Sequence, residues 1–122
     1  MATLTPTLTL TSAADDISTD ALSITITGTL TTTEPSVGLS RVSVATTGAE
    51  VIIASSVSTT SYVYLKNTDS TNIIVVKNDA GNNIADLSPG EFAFFPLKGA
   101  TGLECTSVTA PCVLEYGYWT RG

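Results

Sequence analysis

Four carboxylates, Asp86, Glu91, Glu104 and Glu115, are the residues here whose type best suits bond breaking, because two acids flanking a glycosidic bond suffice to hydrolyse it. Each falls at a turn or on an outward-facing strand position, where a solvated surface acid is the ordinary outcome. Other chemistries have fewer parts. The chain contains no histidine, which removes the commonest general base, the usual activator of serine and the commonest metal ligand. Asp15, Asp16 and Asp20, in a loop from Ala13 to Asp20, could offer oxygens to calcium. They lack the alternating ligands, glycine and distal glutamate of an EF-hand loop, so a solvated turn is expected. Cys105 and Cys112 without a histidine make a poor zinc site. Gly99-Ala100-Thr101-Gly102 is too short for a phosphate loop and lacks the flanking strand and helix. The Thr-x-Thr tracts Thr5-Pro6-Thr7, Thr9-Leu10-Thr11 and Thr25-Ile26-Thr27 have the form of an ice-binding face, but they do not recur at a fixed period. These readings predict no catalytic residue, no cofactor and no metal.

The elements that would position such groups are strands. Apolar residues make up 43% and charged residues 13% of the 122, so the polarity comes mainly from serine and threonine hydroxyls, as on a β-sheet surface. No window with a 3.6-residue apolar period calls for more than a turn of helix. One folding unit of this length can bury a core without staples. A net charge of −6, with Arg41, Lys66, Lys77, Lys98 and Arg121 scattered, offers nothing to phosphates, which argues against nucleic acid as a partner. The residues after Met1 do not read as a signal segment and no run is long enough to span a membrane, so synthesis and retention in a cytosol are expected.

The stretch from Tyr62 to Leu97 reads as four strands joined by three turns. Tyr62 to Leu65 is aromatic and β-branched, and Lys66 to Ser70 supplies Asx-type turn residues. Ile73 to Val76 reads as a strand buried on both faces. Asn78-Asp79-Ala80-Gly81 predicts a type I turn with Gly81 at positive φ, leading into Ile84 to Leu87. Ser88-Pro89-Gly90-Glu91 predicts a type II turn with Gly90 at positive φ, closing a second hairpin into Phe92 to Phe95. Pro96 places that last strand at an edge.

Elsewhere, Thr3 to Thr11 alternates Leu4, Leu8 and Leu10 against threonines, with Pro6 interrupting, and predicts one edge strand or arm. Leu22, Ile24, Ile26 and Leu30 share a face, with Gly28 marking a bulge or close approach. Thr31 to Gly38, holding Glu34-Pro35, predicts a turn or crossover. Cys105 and Cys112 are expected opposite each other on neighbouring strands, as two buried thiols. Leu114, Tyr116 and Tyr118 face one way on the last strand and Glu115, Gly117 and Trp119 the other. The aromatic residues all lie in the second half; most are expected in the core and one or two, Trp119 among them, at an interface.

The expected fold class is all-β: an antiparallel, jelly-roll-like β-sandwich of nine or ten short strands with no significant helix, preceded by an arm or edge strand over residues 1–12, with 13–122 as a single domain. The run from Tyr62 to Asn72, the strand Ile84 to Leu87, the turn Ser88 to Glu91 with Phe92 to Pro96, and the closing Glu115-Tyr116-Gly117-Tyr118 resemble small virion-associated structural proteins of tailed bacteriophages. That resemblance implies a non-enzymatic structural subunit, made in the bacterial cytoplasm and assembled into the virion. A capsid-associated cement or decoration protein is the first reading and a tail, neck or fibre-base component, with or without carbohydrate recognition, the second. A free lectin-like module is a third. The implied partners are other virion proteins, the major capsid protein first, and further copies of the chain, for example in a trimer. Leu4, Leu8, Leu10 and Trp119 are the residues assigned to the assembly interface, the three leucines on an arm from Met1 to about Thr11.

Overall fold

The computed structural model describes residues 1–14 and 21–122, and nothing of the side chain of Pro35. The acidic loop of Asp15, Asp16 and Asp20 lies outside the described residues. Eleven strands and no helix are present among the described residues, and the strand pairs are antiparallel. The chain divides into two compact units, one of Met1–Thr33 with Gly122 and one of Glu34–Arg121. The sequence reading places the division after residue 12; the division lies after Thr33 because residues 22–32 pair with the N-terminal segment.

In the first unit the segment Thr3 to Thr11 is not one strand. It is two, β1 (Ala2–Leu4) and β2 (Thr7–Ser12), separated at Thr5 and Pro6. Strand β2 pairs with β3 (Leu22–Thr27), and β1 pairs with the first residues of β4 (Leu30–Val44). Ala2 faces Thr32 and Ser12 faces Leu22, so one unbroken register runs through both pairings. Proline lacks the N–H its position would donate, which opens the ladder at Pro6. Its carbonyl still accepts the Gly28 N–H at 3.0 Å, but Gly28 marks neither a bulge nor a close approach: the register is unbroken and an added Cβ would lie an ordinary 3.6 Å from the Pro6 ring. Directly opposed residues in an antiparallel pair share a face. Leu4, Leu8 and Leu10 therefore lie beside Leu30, Ile26 and Ile24 on one face. On the other, Thr3, Thr7 and Thr9 oppose Thr31, Thr27 and Thr25, with the hydroxyls of Thr7 and Thr27 3.3 Å apart.

The second unit carries the rest of β4 with β5 (Glu50–Ile53), β6 (Ser61–Asn67), β7 (Ile74–Lys77), β8 (Asn83–Leu87), β9 (Phe92–Leu97), β10 (Leu103–Ser107) and β11 (Cys112–Arg121). One sheet runs β4-β11-β6-β9 and a second β5-β10-β7-β8. Their buried residues form a single aliphatic cluster that includes Val44, Val63, Leu65 and Leu114 from the first sheet and Ile53, Ile74, Val76 and Leu103 from the second. Strand β4 includes Glu34-Pro35, where a turn is expected from sequence. A proline φ near −65° is compatible with extended chain, so Pro35 removes a donor without reversing direction.

Of the turns in the central stretch, only Asn78 to Gly81 closes a hairpin, joining β7 to β8 with Gly81 at φ 84° and its N–H donating to Asn78 O at 3.0 Å. The Ser88 to Glu91 turn forms as expected, with Gly90 at φ 80° and the Glu91 N–H donating to Ser88 O at 2.9 Å. It makes no hairpin, however, because β8 pairs with β7 while β9 pairs with β6 in the other sheet. A type II turn splays its flanking strands, whereas hairpins favour the mirror-image turns whose twist matches the ladder. Strand β9 is the edge strand that Pro96 indicates. Strand β7 alternates: Ile74 and Val76 are buried while Ile73 and Val75 are half-buried, so it is buried on one face, not on both.

Asn67, fully buried, ties this region together. Its Nδ2 donates to Asn72 O at 2.8 Å and Leu87 O at 2.9 Å, and its Oδ1 accepts the Asp69 N–H at 2.9 Å. Its backbone exchanges hydrogen bonds with the 88–91 turn, donating to Glu91 O and accepting from Gly90, both at 3.0 Å. Asp69 continues the Asx pattern that the sequence indicates, accepting the N–H groups of Thr71 and Asn72.

Candidate interaction face

Registers in the sheet β4-β11-β6-β9 define rows across its two faces. On the outer face lie Glu115, Lys66 and Phe92, then Gly117, Tyr64 and Phe94, then Trp119, Tyr62 and Pro96. The inner rows are Tyr116, Leu65 and Ala93, then Tyr118, Val63 and Phe95. The expectation that most aromatics form the core is therefore overturned. Phe95, Tyr116 and Tyr118 only pack against an aliphatic core, and five of the eight aromatic rings sit on the outer face. Alternation along a strand assigns residues to two faces but does not say which face turns inward.

Phe92 and Phe94 are 65% and 40% exposed and share one face of the edge strand β9, so the two rings form a contiguous apolar patch of the kind that marks interaction surfaces. Trp119 is half-buried and lies across Gly117, where an added Cβ would stand 3.1 Å from its Cη2 atom. Tyr62 is covered by Arg121, whose Nε donates to the tyrosine hydroxyl at 3.2 Å and whose guanidinium centre lies 5.4 Å from the ring centroid. This is a cation–π contact with a hydrogen bond added.

The polar part of the face is a three-residue network. Tyr64 donates its hydroxyl proton to Glu115 Oε1 at 2.9 Å, and Arg41 donates from Nε and Nη2 to Oε2 at 3.2 and 3.0 Å. The Tyr64 hydrogen bond, seconded by Arg41, holds the Glu115 carboxyl below its ordinary range. Burial and the same carboxylate push Tyr64 up. Glu115 is thus an anchored anion with both oxygens occupied, not the freely solvated acid that sequence suggests.

Beside this face, edge strands β8 and β9 flank an apolar pocket of about 220 Å³ lined by Leu65, Val76, Ile84, Ala85, Ala93 and Phe95. A second, more open groove of about 490 Å³ runs past Asp86, Gly90, Glu91 and Phe92. The other groups with chemical potential are elsewhere. Glu91 accepts the Ser88 N–H within its own turn, and Glu104 lies in β10 opposite Lys77. Cys105 and Cys112 are buried free thiols, but not on neighbouring strands, since β10 and β11 belong to different sheets. Burial, followed by the charges of Glu104 and Glu50, pushes the Cys105 thiol up to about 12. Cys112 Sγ lies 3.1 Å from Ser107 Oγ, itself bonded to Ala110 O. No group of three His, Cys, Asp or Glu side chains placed to hold a metal occurs among the described residues, and no helix is long and apolar enough to cross a membrane.

What the face offers is adhesion: rings for apolar or stacking contact, edged by a fixed carboxylate and an exposed guanidinium. Of the residues assigned to an interface from sequence, Trp119 lies on this face, while Leu4, Leu8 and Leu10 come together on the ribbon of the first unit. Sequence reasoning does not place Tyr64, Phe92, Phe94 or Arg41 at an interface, and it singles out Glu115 only as a surface acid. The spacing of Phe92 and Phe94, with small Ala93 between them, was the available signal, because the small residue faces the core. No family model matches the chain, and no curated protein or solved structure matches it.

Proposed function

We propose that the chain is a non-enzymatic structural subunit of a tailed-phage virion, a cement or decoration protein that binds the capsid surface through the aromatic face of its second unit. In this reading the two sheets of that unit pack as a jelly-roll-like sandwich, assembled in the host cytoplasm and carried in the particle. The observation that carries it is the exposure of Phe92 and Phe94 beside Tyr64 and Trp119 on one face ending in a free edge strand. Rings of this kind, ringed by polar groups, supply the anchors of protein interfaces. The resemblance over the last sixty or so residues supplies the virion context.

A second reading, a tail, neck or fibre-base subunit that recognises carbohydrate, is favoured by the half-buried Trp119 ring beside Gly117 on the same face as the exposed Arg41 guanidinium, whose pairing with Glu115 a sugar hydroxyl would have to share. The test is to add purified chain to particles assembled without it and locate it by cryo-electron microscopy. Density on the capsid lattice, reduced at least tenfold by the Phe92→Ser/Phe94→Ser pair, is the expected result. Density confined to the tail supports the second reading, and no density on any part of the particle overturns both.

A further inference from the structure

The apolar pocket flanked by β8 and β9 has a construction of its own. Residues of both sheets line it, Leu65, Ala93 and Phe95 from one and Val76, Ile84 and Ala85 from the other. Ala93 directly opposes the buried Leu65 across its ladder and Ala85 the buried Val76, so each edge strand turns an alanine inward at the level of the pocket. The register of β8 shifts between its pairs with Val76 and Lys77, which leaves Ile84 without an opposite residue. Such a bulge re-aims a side chain, and Ile84, half exposed, forms part of the wall. One larger side chain in place of either alanine would close much of this space and recover the stability that an unfilled volume costs.

We propose that the pocket is a binding site for the alkyl chain of a small amphiphile with a cationic head, a straight-chain primary amine. No polar side chain lines the inner chamber, so water gains no partners there, whereas an alkyl chain is withdrawn from water on entering. Volume sets the length. An apolar cavity of about 150 Å³ takes benzene, and by proportion about 220 Å³ takes roughly eight or nine carbons. The open groove past Gly90 and Glu91 shares Ala85 and Ala93 with the chamber, so a flexible chain seated inside leads out between the two alanines into that groove.

Charge selects the head. Asp86 and Glu91 line the groove, and no lysine or arginine lines either cavity. Glu91 spends Oε1 on the Ser88 N–H, which leaves its second oxygen for a ligand. Lys66 opposes Phe92 in register but lines neither cavity. Two carboxylates beside the Phe92 ring attract an ammonium group and repel the carboxylate of a fatty acid of the same length. This inference does not rest on the virion reading, which uses Phe92 and Phe94 on the outer face, whereas Ala93 between them points the other way.

The experiment is calorimetric titration of the full chain with 1-octylamine, 1-octanol and octanoate at neutral pH, below the concentrations at which they aggregate, with the Ala85 and Ala93 methyl resonances followed by NMR. Octylamine is expected to bind saturably, to shift both methyls, and to exceed octanol about threefold or more in affinity, with octanoate weakest. Ala93→Leu fills the chamber from one sheet and Ala85→Leu from the other. Each that folds is expected to lower octylamine and octanol binding about tenfold or more, with a melting temperature equal to or above that of the wild type. Asp86→Asn/Glu91→Gln is expected to bring octylamine down to the level of octanol and to leave octanol unchanged. No saturable binding of the amine, or binding that survives both leucine variants, overturns the proposal. Equal affinity for all three ligands overturns the choice of head group. Binding abolished by Phe94→Ser, which lies outside both cavities, puts the chain on the outer face and overturns the site. A folded Ala93→Leu variant that loses the capsid as well as the amine assigns the chamber to a capsid side chain and overturns the small-molecule occupant. Amine binding by a chain that decorates no particle counts against the virion reading alone.

Discussion

Replacing Asn67 by leucine, nearly equal in volume, tests whether the two sheets of the second unit are pinned at the 67–72 and 88–91 turns. The change strands two carbonyls, Asn72 O and Leu87 O, and one N–H, that of Asp69. A buried group left unpaired costs about 1–3 kcal/mol, and the three share one site, so their costs do not simply add. We expect a loss of about 3–5 kcal/mol, a large part of the roughly 5–15 kcal/mol available to a domain. Urea unfolding followed by Trp119 fluorescence reads it as a midpoint lowered by about 2 M at unchanged slope. Asn67→Asp keeps the acceptor for Asp69 but turns an anionic oxygen toward the two carbonyls, so it is expected to lose at least as much at neutral pH and to recover in part on acidification. A loss below about 1 kcal/mol for the leucine variant, at unchanged slope, would refute the pin.

In Gly90→Val the added Cβ meets no neighbour and the change is expected to cost at least about 1–2 kcal/mol through its left-handed φ alone, whereas Gly99→Ala, whose Cβ would collide with the Ser58 carbonyl, should prevent native folding, both read by thermal melts. Ser61→Ala deletes a buried hydroxyl that has no hydrogen-bond partner among the described residues and is expected to be neutral or to stabilise by about 1 kcal/mol, measured in the same assay. The raised Cys105 thiol contributes stability that is complete below the ordinary thiol value and is lost as pH rises toward about 12; native protein should resist thiol reagents at pH 8, and its urea midpoint should fall through the alkaline range. The depressed Glu115 carboxyl works in the opposite sense: its contribution is present above the ordinary carboxylate range and lost as pH falls through its lower folded value, so Glu115→Gln should flatten the acid limb of the stability profile.

Local chemistry was readable from the residues. The positive φ of Gly81 and Gly90, the Asx turn at Asn67 and the edge position of the Pro96 strand each follow from one side chain's constraint on its own backbone. Which strands pair was not readable in the same way. Ser88 to Glu91 was recognised as a type II turn, yet the splay that such a turn imposes is a three-dimensional property, and proximity in sequence suggested a hairpin. The two Leu/Thr tracts, with Pro6 facing Gly28, are matched in register, but the match appears only when one tract is reversed against the other. Hydrophobicity places most of the aromatic rings in the core; Ala93, Leu65 and Tyr116 fill that inner row, which leaves Phe92 and Phe94 outside.

Strand β11, the latest of the eleven in the chain, sits between β4 and β6 at the centre of its sheet, and its Glu115 bonds to Arg41 from 74 residues away. Neither neighbour can complete its ladder earlier in synthesis, and β4 and β6 must wait with open, apolar flanks until residues 112–121 arrive. Loop closure over that distance precedes any reward from pairing, so folding is expected to be slow for the size of the unit and to pass through a state with two exposed strand edges. Production of this chain is therefore expected to be limited by kinetics: low temperature or slow translation should raise its yield, and truncation inside β11 should leave an aggregating product although the sequence of every other strand is present.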